Sequence, residues 1–152
     1  MTVEKIFIRP PQARAQAEHT RVQVVAGSGI VGDRYFDCHD EPGQNISFVE
    51  AEEIEAFARE QQRSPDLSVT ARNVVTRGVR LNELVGQEFQ VGSLRFRGMA
   101  LCEPCLGLGE ALASPELPPA AVVKRWLRSG GLRALALSSG ELTVGAAFTR
   151  AP

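Results

Sequence analysis

LNELVGQEFQVGSLRFRGMAL, residues 81–101, carries the pattern on which the fold class turns. Leu94 and Phe96 alternate with Arg95 and Arg97, and Met99 and Leu101 continue the apolar series less strictly. Alternation of this kind belongs to a strand with one face buried and one in water, so the arginines are expected to face solvent. Gly92-Ser93 immediately before it is a tight-turn pair and predicts a hairpin of two short antiparallel strands. The centre of the chain therefore reads as β-rich.

Toward the N-terminus, VEKIFI (3–8) and RVQVV (21–25) are short runs rich in Val and Ile, separated by a polar stretch that reads as a long loop. GSGIVGDRYFDCHDEPG (27–43) has four glycines and several charges, too irregular for a helix and longer than a plain turn, as functional loops often are. NISF (45–48) is a further short strand. Residues 50–62 follow with Ala51, Ile54, Phe57 and Ala58 at helical spacing, an amphipathic helix whose glutamates read as a solvated face. Pro118-Pro119 opens a second helix running to about residue 128, with Val122, Val123, Trp126 and Leu127 on one side and Gly130-Gly131 ending it. LRALAL and ELTVG then read as a terminal hairpin. Seven or more short strands with two helices, and no βα alternation, predict a mainly β fold: a closed or strongly curved β-barrel carrying peripheral α-helices. A doubly wound sheet is disfavoured.

The 152 residues match the size of one ordinary domain, 1–152. A hydrophobic content of 43% and a net charge of −1 fit a globular protein and give no electrostatic case for binding nucleic acid or an anionic membrane. The N-terminus has no secretory pattern, and no apolar run approaches the roughly 20 residues of a membrane span, so a cytoplasmic location is expected. Three cysteines, Cys38, Cys102 and Cys105, are too sparse and odd for a secreted disulfide framework; thiols are the expectation.

LCEPC (101–105) is the most chemically loaded motif, and its spacing admits four readings. A structural zinc site needs four ligands, and Cys38-His39 would have to complete it, with two adjacent ligands on one loop. A thioredoxin-like redox pair would open a helix in a βαβ setting, whereas LGLG (106–109) holds two poor helix formers. Inert burial suits Cys102, whose strand could point it inward. The fourth is a single reactive thiolate near basic groups, which suits Cys105. Pro104 holds Glu103 extended and interrupts backbone pairing, so Cys105 is expected on a turn at a strand end, where side chains reach a cleft. His19, alone in a polar loop, reads as solvent-exposed.

In order along the chain, GIVGDRY (29–35), ARNVV (71–75), LVGQEFQVGSLRFRG (84–98) and LCEPC (101–105) resemble the MOSC family, named for the C-terminal domain of molybdenum-cofactor sulfurase. The resemblance runs from about residue 3 to 149 and includes the GGLRALALSSGELTVG ending (130–145), similar to stand-alone prokaryotic members. It implies a β-barrel with peripheral helices, and a protein that binds the molybdenum cofactor, a pyranopterin, or carries sulfur for metal centres.

The family's cysteine corresponds to Cys105, a thiolate ligand of molybdenum in some relatives and the proposed persulfide-bearing sulfur acceptor in others. Cys102 is a candidate second thiol. A soft anionic thiolate suits both tasks. The cofactor's phosphate calls for guanidinium forks and backbone N–H groups, which places Arg72 with Asn73, and Gly32, Asp33 and Arg34, around it. The bland counterparts are that Asp33 and Arg34 stabilise a turn and that Asn73 satisfies loop backbone. Arg128-Ser129 stands where many relatives have a histidine before the Gly-Gly pair, so no role passes from that histidine to this chain. Two further expectations are an enzyme reducing N-hydroxylated compounds with electrons from a separate redox partner, and a non-catalytic module that kept the barrel and lost the cofactor. A sulfur carrier would need a separate donor such as a cysteine desulfurase.

Overall fold

A computed structural model of the chain describes residues 1–38 and 43–150. Its strands are β1 (Thr2–Ile8), β2 (Ala17–His19), β3 (Arg21–Val25), β4 (Gly29–Ile30), β5 (Ile46–Glu50), β6 (Val74–Arg77), β7 (Glu88–Val91), β8 (Leu94–Leu101), β9 (Leu132–Ala136), β10 (Gly140–Thr143) and β11 (Phe148–Arg150). Helices α1 (Ala51–Glu60), α2 (Leu106–Leu112) and α3 (Pro119–Arg125) and a 3-10 turn, Leu81–Leu84, complete the set.

The predicted hairpin is present: β7 and β8 pair antiparallel across Gly92-Ser93, with Phe89 opposite Phe96 and Val91 opposite Leu94. Around it the main sheet runs β11-β7-β8-β9-β5-β6-β1-β2. The sheet curls until β1 reaches the start of β11. Thr2 bridges Ala147, the Val3 N–H donates to the Ala146 carbonyl at 2.9 Å, and the Phe148 N–H donates to the Met1 carbonyl at 2.8 Å. A second sheet, β10-β3-β4, contributes Val22, Val24, Ile30 and Leu142 to the same interior. The centre of that interior is aromatic: Phe48 meets Phe89, Phe96 and Phe148 edge-on, while Phe89 stacks on Phe96 and Phe148. Each such ring contributes about 1.5–3 kcal/mol by leaving water.

Because strand residues alternate, the neighbours of these core residues point to the outer face, where Phe7, Val49 and Val75 lie. That face is covered by Ile54 and Phe57 of α1, Leu108 and Leu112 of α2, and Val122 of α3 with Trp126 just beyond it. The curved β architecture with peripheral helices is thus the one expected.

Several local expectations change. The 9–20 segment contains β2, which pairs with β1; its His19 is half-buried. Strands β5 and β6 run parallel through α1, so one βα crossover exists within an otherwise antiparallel sheet. LRALAL and ELTVG do not form a hairpin: β9 pairs with β8 and β5, whereas β10 pairs with β3 in the other sheet. LGLG does form a helix, α2. Its Gly109 is selected by packing: a Cβ there would meet the Pro119 carbonyl at 2.7 Å and Val123 Cγ2 at 3.0 Å, so α2 and α3 approach closely only without one. Leu127, expected on the buried side of the second helix, lies beyond α3 and is exposed.

Candidate functional site

Strand β8 carries an irregularity that decides where the first cysteine points. Phe96 pairs with Ala136 and Gly98 with Ala134, yet Ala100 pairs with Arg133 and Leu101 with Leu132, so one residue, Met99, is extra. Such a bulge reverses the alternation beyond it. The Cys102 N–H then donates to the Gly131 carbonyl at 2.8 Å, continuing the ladder with Cys102 on the outer face shared by Ala100 and Arg133. Cys102 is buried, as expected, but outside the barrel interior.

Three arginines from separate segments line one cleft on this side: Arg34 from the loop after β4, Arg72 just before β6, and Arg133 in β9. Tyr35, Gln44, Asn45, Ser47, Ala71 and Asn73 complete its described lining, which contains no acidic side chain. Arg72 is aimed by its neighbours. Its Nε donates to the Gly130 carbonyl at 3.0 Å, and its own carbonyl accepts from Gln16 Nε2 at 3.4 Å. Ala71 before it holds φ at +57°, an uncommon left-handed conformation for a residue with a Cβ. Gln16 Oε1 is buried beside this segment with no partner among the described residues. Gly130 is required where it stands, since a Cβ would come within 2.6 Å of the Cys102 carbonyl.

Two of the anticipated site residues turn out to be braces. The Asp33 carboxylate is buried and accepts from the Arg9 N–H at 2.9 Å and the Tyr35 N–H at 3.2 Å. With the Arg34 N–H donating to the Arg9 carbonyl at 2.8 Å, it ties the loop to the end of β1 and sets Arg34 at the cleft. Gly32 supplies the turn, with φ +89°. Asn73 lines the cleft, and its side-chain bonds run inward. Its Oδ1 accepts from the Ser47 N–H and hydroxyl, and its Nδ2 donates to the Phe7 carbonyl, so it clamps β5 to β1 beside β6. Asn45 does the same for the other wall, donating to the Tyr35 and Cys38 carbonyls. Arg34 lies over the Tyr35 ring, 4.6 Å from its centroid.

The two cysteines of LCEPC part company. Cys105 is exposed and occupies the N-cap position of α2, with no side-chain capping bond. It is not among the cleft-lining residues, but three residues of chain keep it within about 11 Å of Cys102, Cα to Cα. Burial pushes the Cys102 thiol up from its ordinary value, and the nearby Arg72 and Arg133 guanidiniums pull it back, Arg133 by a hydrogen bond to the sulfur. Arg133 is the site residue that sequence reasoning missed: within LRALAL it looks like any solvent-facing position, and only the β8–β9 register brings it to Cys102. All three cysteines are free, and no cluster of three or more His, Cys, Asp or Glu able to hold a metal occurs among the described residues. Cys38 is half-buried, while His39, its proposed partner in a zinc site, lies outside the described residues. No helix among the described residues is long and apolar enough to cross a membrane.

The fold is a curled, helix-covered β-sheet with an arginine-lined cleft and an exposed thiol, Cys105, outside that lining. The family model of the MOSC domain matches residues 36–149, and the chain belongs to that family, which is associated with the molybdenum cofactor. Gly32, Asp33 and Arg34 precede the matched segment. Among solved structures, the fold is similar to YuaD of Bacillus subtilis, with a TM-score of 0.80 at 20% identity over 97% of this chain and 94% of that one. It is also similar to YiiM of Geobacillus stearothermophilus, with a TM-score of 0.75 at 16% identity over 99% and 75% of the two chains. YiiM of Escherichia coli gives 0.71 at 14% identity over 100% and 70%. No curated protein sequence matches the chain.

Proposed function

We propose that the chain binds a molybdenum cofactor or carries sulfur for one, with Cys105 as the working thiolate and the arginine-lined cleft as the holder of an anionic group. The observation that carries this reading is the convergence of Arg34, Arg72 and Arg133 on one cleft, next to a strand end whose second cysteine is exposed. The donor set fits the cofactor. A pyranopterin presents a phosphate, and planar guanidinium forks are the side chains best matched to it. An exposed thiol is a suitable soft ligand for molybdenum.

In this role Arg72, held at Nε by the Gly130 carbonyl, would offer its remaining N–H groups to the phosphate, together with Arg34 of the same cleft lining. Asn73 and Asp33 hold the walls. Bound there, the cofactor would supply a metal able to change oxidation state. For sulfur carriage, the Cys105 thiolate would attack the terminal sulfur of a donor persulfide. The new S–S bond forms on Cys105 as the donor's S–S bond breaks and its thiolate leaves, with no net oxidation. The donor, such as a cysteine desulfurase, is a separate polypeptide. A non-catalytic module would call for a closed apolar site around Cys105 with no basic groups, whereas Cys105 is exposed.

Protein isolated from a molybdenum-replete host able to make the cofactor should carry molybdenum and pterin in stoichiometric amounts, or added sulfane sulfur in its intact mass. Cys105→Ser should lose whichever signal is present. Retention of both metal and added sulfur in Cys105→Ser would refute the assignment.

A further inference from the structure

Arg72 and Arg133 have two neighbours that want positive charge. Both line the cleft and both bear on the buried sulfur of Cys102: the β8–β9 register sets Arg133 beside the strand that leads into Cys102, and Gly130 lies against both the Cys102 carbonyl and the Arg72 guanidinium. We propose that an oxyanion in the cleft and a thiolate on Cys102 compete for the same guanidinium pair, so that Cys102 is reactive only when the cleft is vacant. The inference rests on the reading of the cleft as an anion site, and not on which oxyanion occupies it.

The physical basis is the burial of Cys102. It is 1% exposed, so water stabilises its charged form poorly and the protein must do so instead. The charges that bear on it are Arg72 from the segment before β6, Arg133 from β9 and, on its own segment, Glu103, which opposes ionisation. An anion paired with Arg72 and Arg133 cancels the two favourable fields and leaves desolvation and Glu103 unopposed. The thiol then keeps its proton. By thermodynamic reciprocity, ionising Cys102 must weaken anion binding by the same factor. For either proposed role this orders events: with the cleft filled, Cys102 keeps its proton and is barred from attacking sulfur or metal held on Cys105.

The test uses sulfate, which keeps its double charge across the working pH range. In Cys38→Ser/Cys105→Ser protein, Cys102 is the sole thiol and its ionisation is read from thiolate ultraviolet absorbance. Saturating sulfate should lower the thiolate fraction about tenfold at fixed pH, within the ordinary range of coupling between sites. Arg72→Gln should remove that response. The reciprocal measurement needs no cysteine-depleted variant: sulfate affinity of the unaltered chain should fall about tenfold as pH rises through the Cys102 transition, and Cys102→Ala should abolish that fall. Sulfate that binds without shifting the Cys102 transition, or an equal pH dependence in Cys102→Ala, overturns the competition and leaves the anion site standing. Failure of the wild-type chain to bind sulfate overturns both.

Discussion

Asp33 and Arg34 are adjacent, yet the first faces the protein and the second the cleft. The carboxylate is absorbed by two backbone N–H groups, and a buried carboxylate with both oxygens engaged has little left for a ligand. Asn73 makes the same point. Its side chain joins Ser47 and Phe7, so Asn73→Ala would orphan the Ser47 N–H and the Phe7 carbonyl in a largely buried setting. We expect a loss of about 1–3 kcal/mol in chemical denaturation. Arg72→Ala should instead weaken sulfate binding with a small effect on stability; if Asn73→Ala denatures like the wild type, its role as a brace fails. Arg72 and Cys105 stand out in the sequence as candidates because their residue types suit the chemistry that the family resemblance implies. The sequence could not tell that Asn73 spends its donors inward, since this depends on strands 26 and 66 residues away.

At the scale of elements, the β7–β8 hairpin was legible because alternation and a Gly-Ser turn are local signals. The bulge was not: the sequence shows only that Met99 and Leu101 continue the apolar series less strictly, and the slip emerges in the register with β9. What was illegible is non-local. The separation of β9 from β10 into two sheets depends on partners far along the chain, and LGLG looked unhelical because intrinsic propensity ignores the neighbour that requires glycine. Helix α2 carries Cys105 at its start, so its seating on α3 matters to the site. Gly109→Ala raises helix propensity, yet it drives a methyl into the Pro119 carbonyl and Val123. The crowding should dominate, with a loss of about 1–3 kcal/mol measured as a lower denaturation midpoint. A gain in stability would mean that α2 and α3 can separate without penalty.

For the molecule as a whole, the interior depends on β11, a strand of three residues whose Phe148 completes the stack with Phe89 and the edge contact with Phe48. Phe148→Ala should remove about 3–5 kcal/mol, the range for a buried ring lost without collapse, measured by denaturant unfolding. It should do so without altering the sulfate response of the cleft, which β11 does not line. A loss near zero would show that the seam contributes little. The seam has a further implication in time. Thr2 meets Ala147, so the contact that joins the ends of the sheet spans nearly the whole sequence and bears a large loop-closure entropy before it returns anything. During synthesis, β1 can lie against β2 and later β6, but the other edge of its first residues gains its partners only once residues 146–148 have left the ribosome.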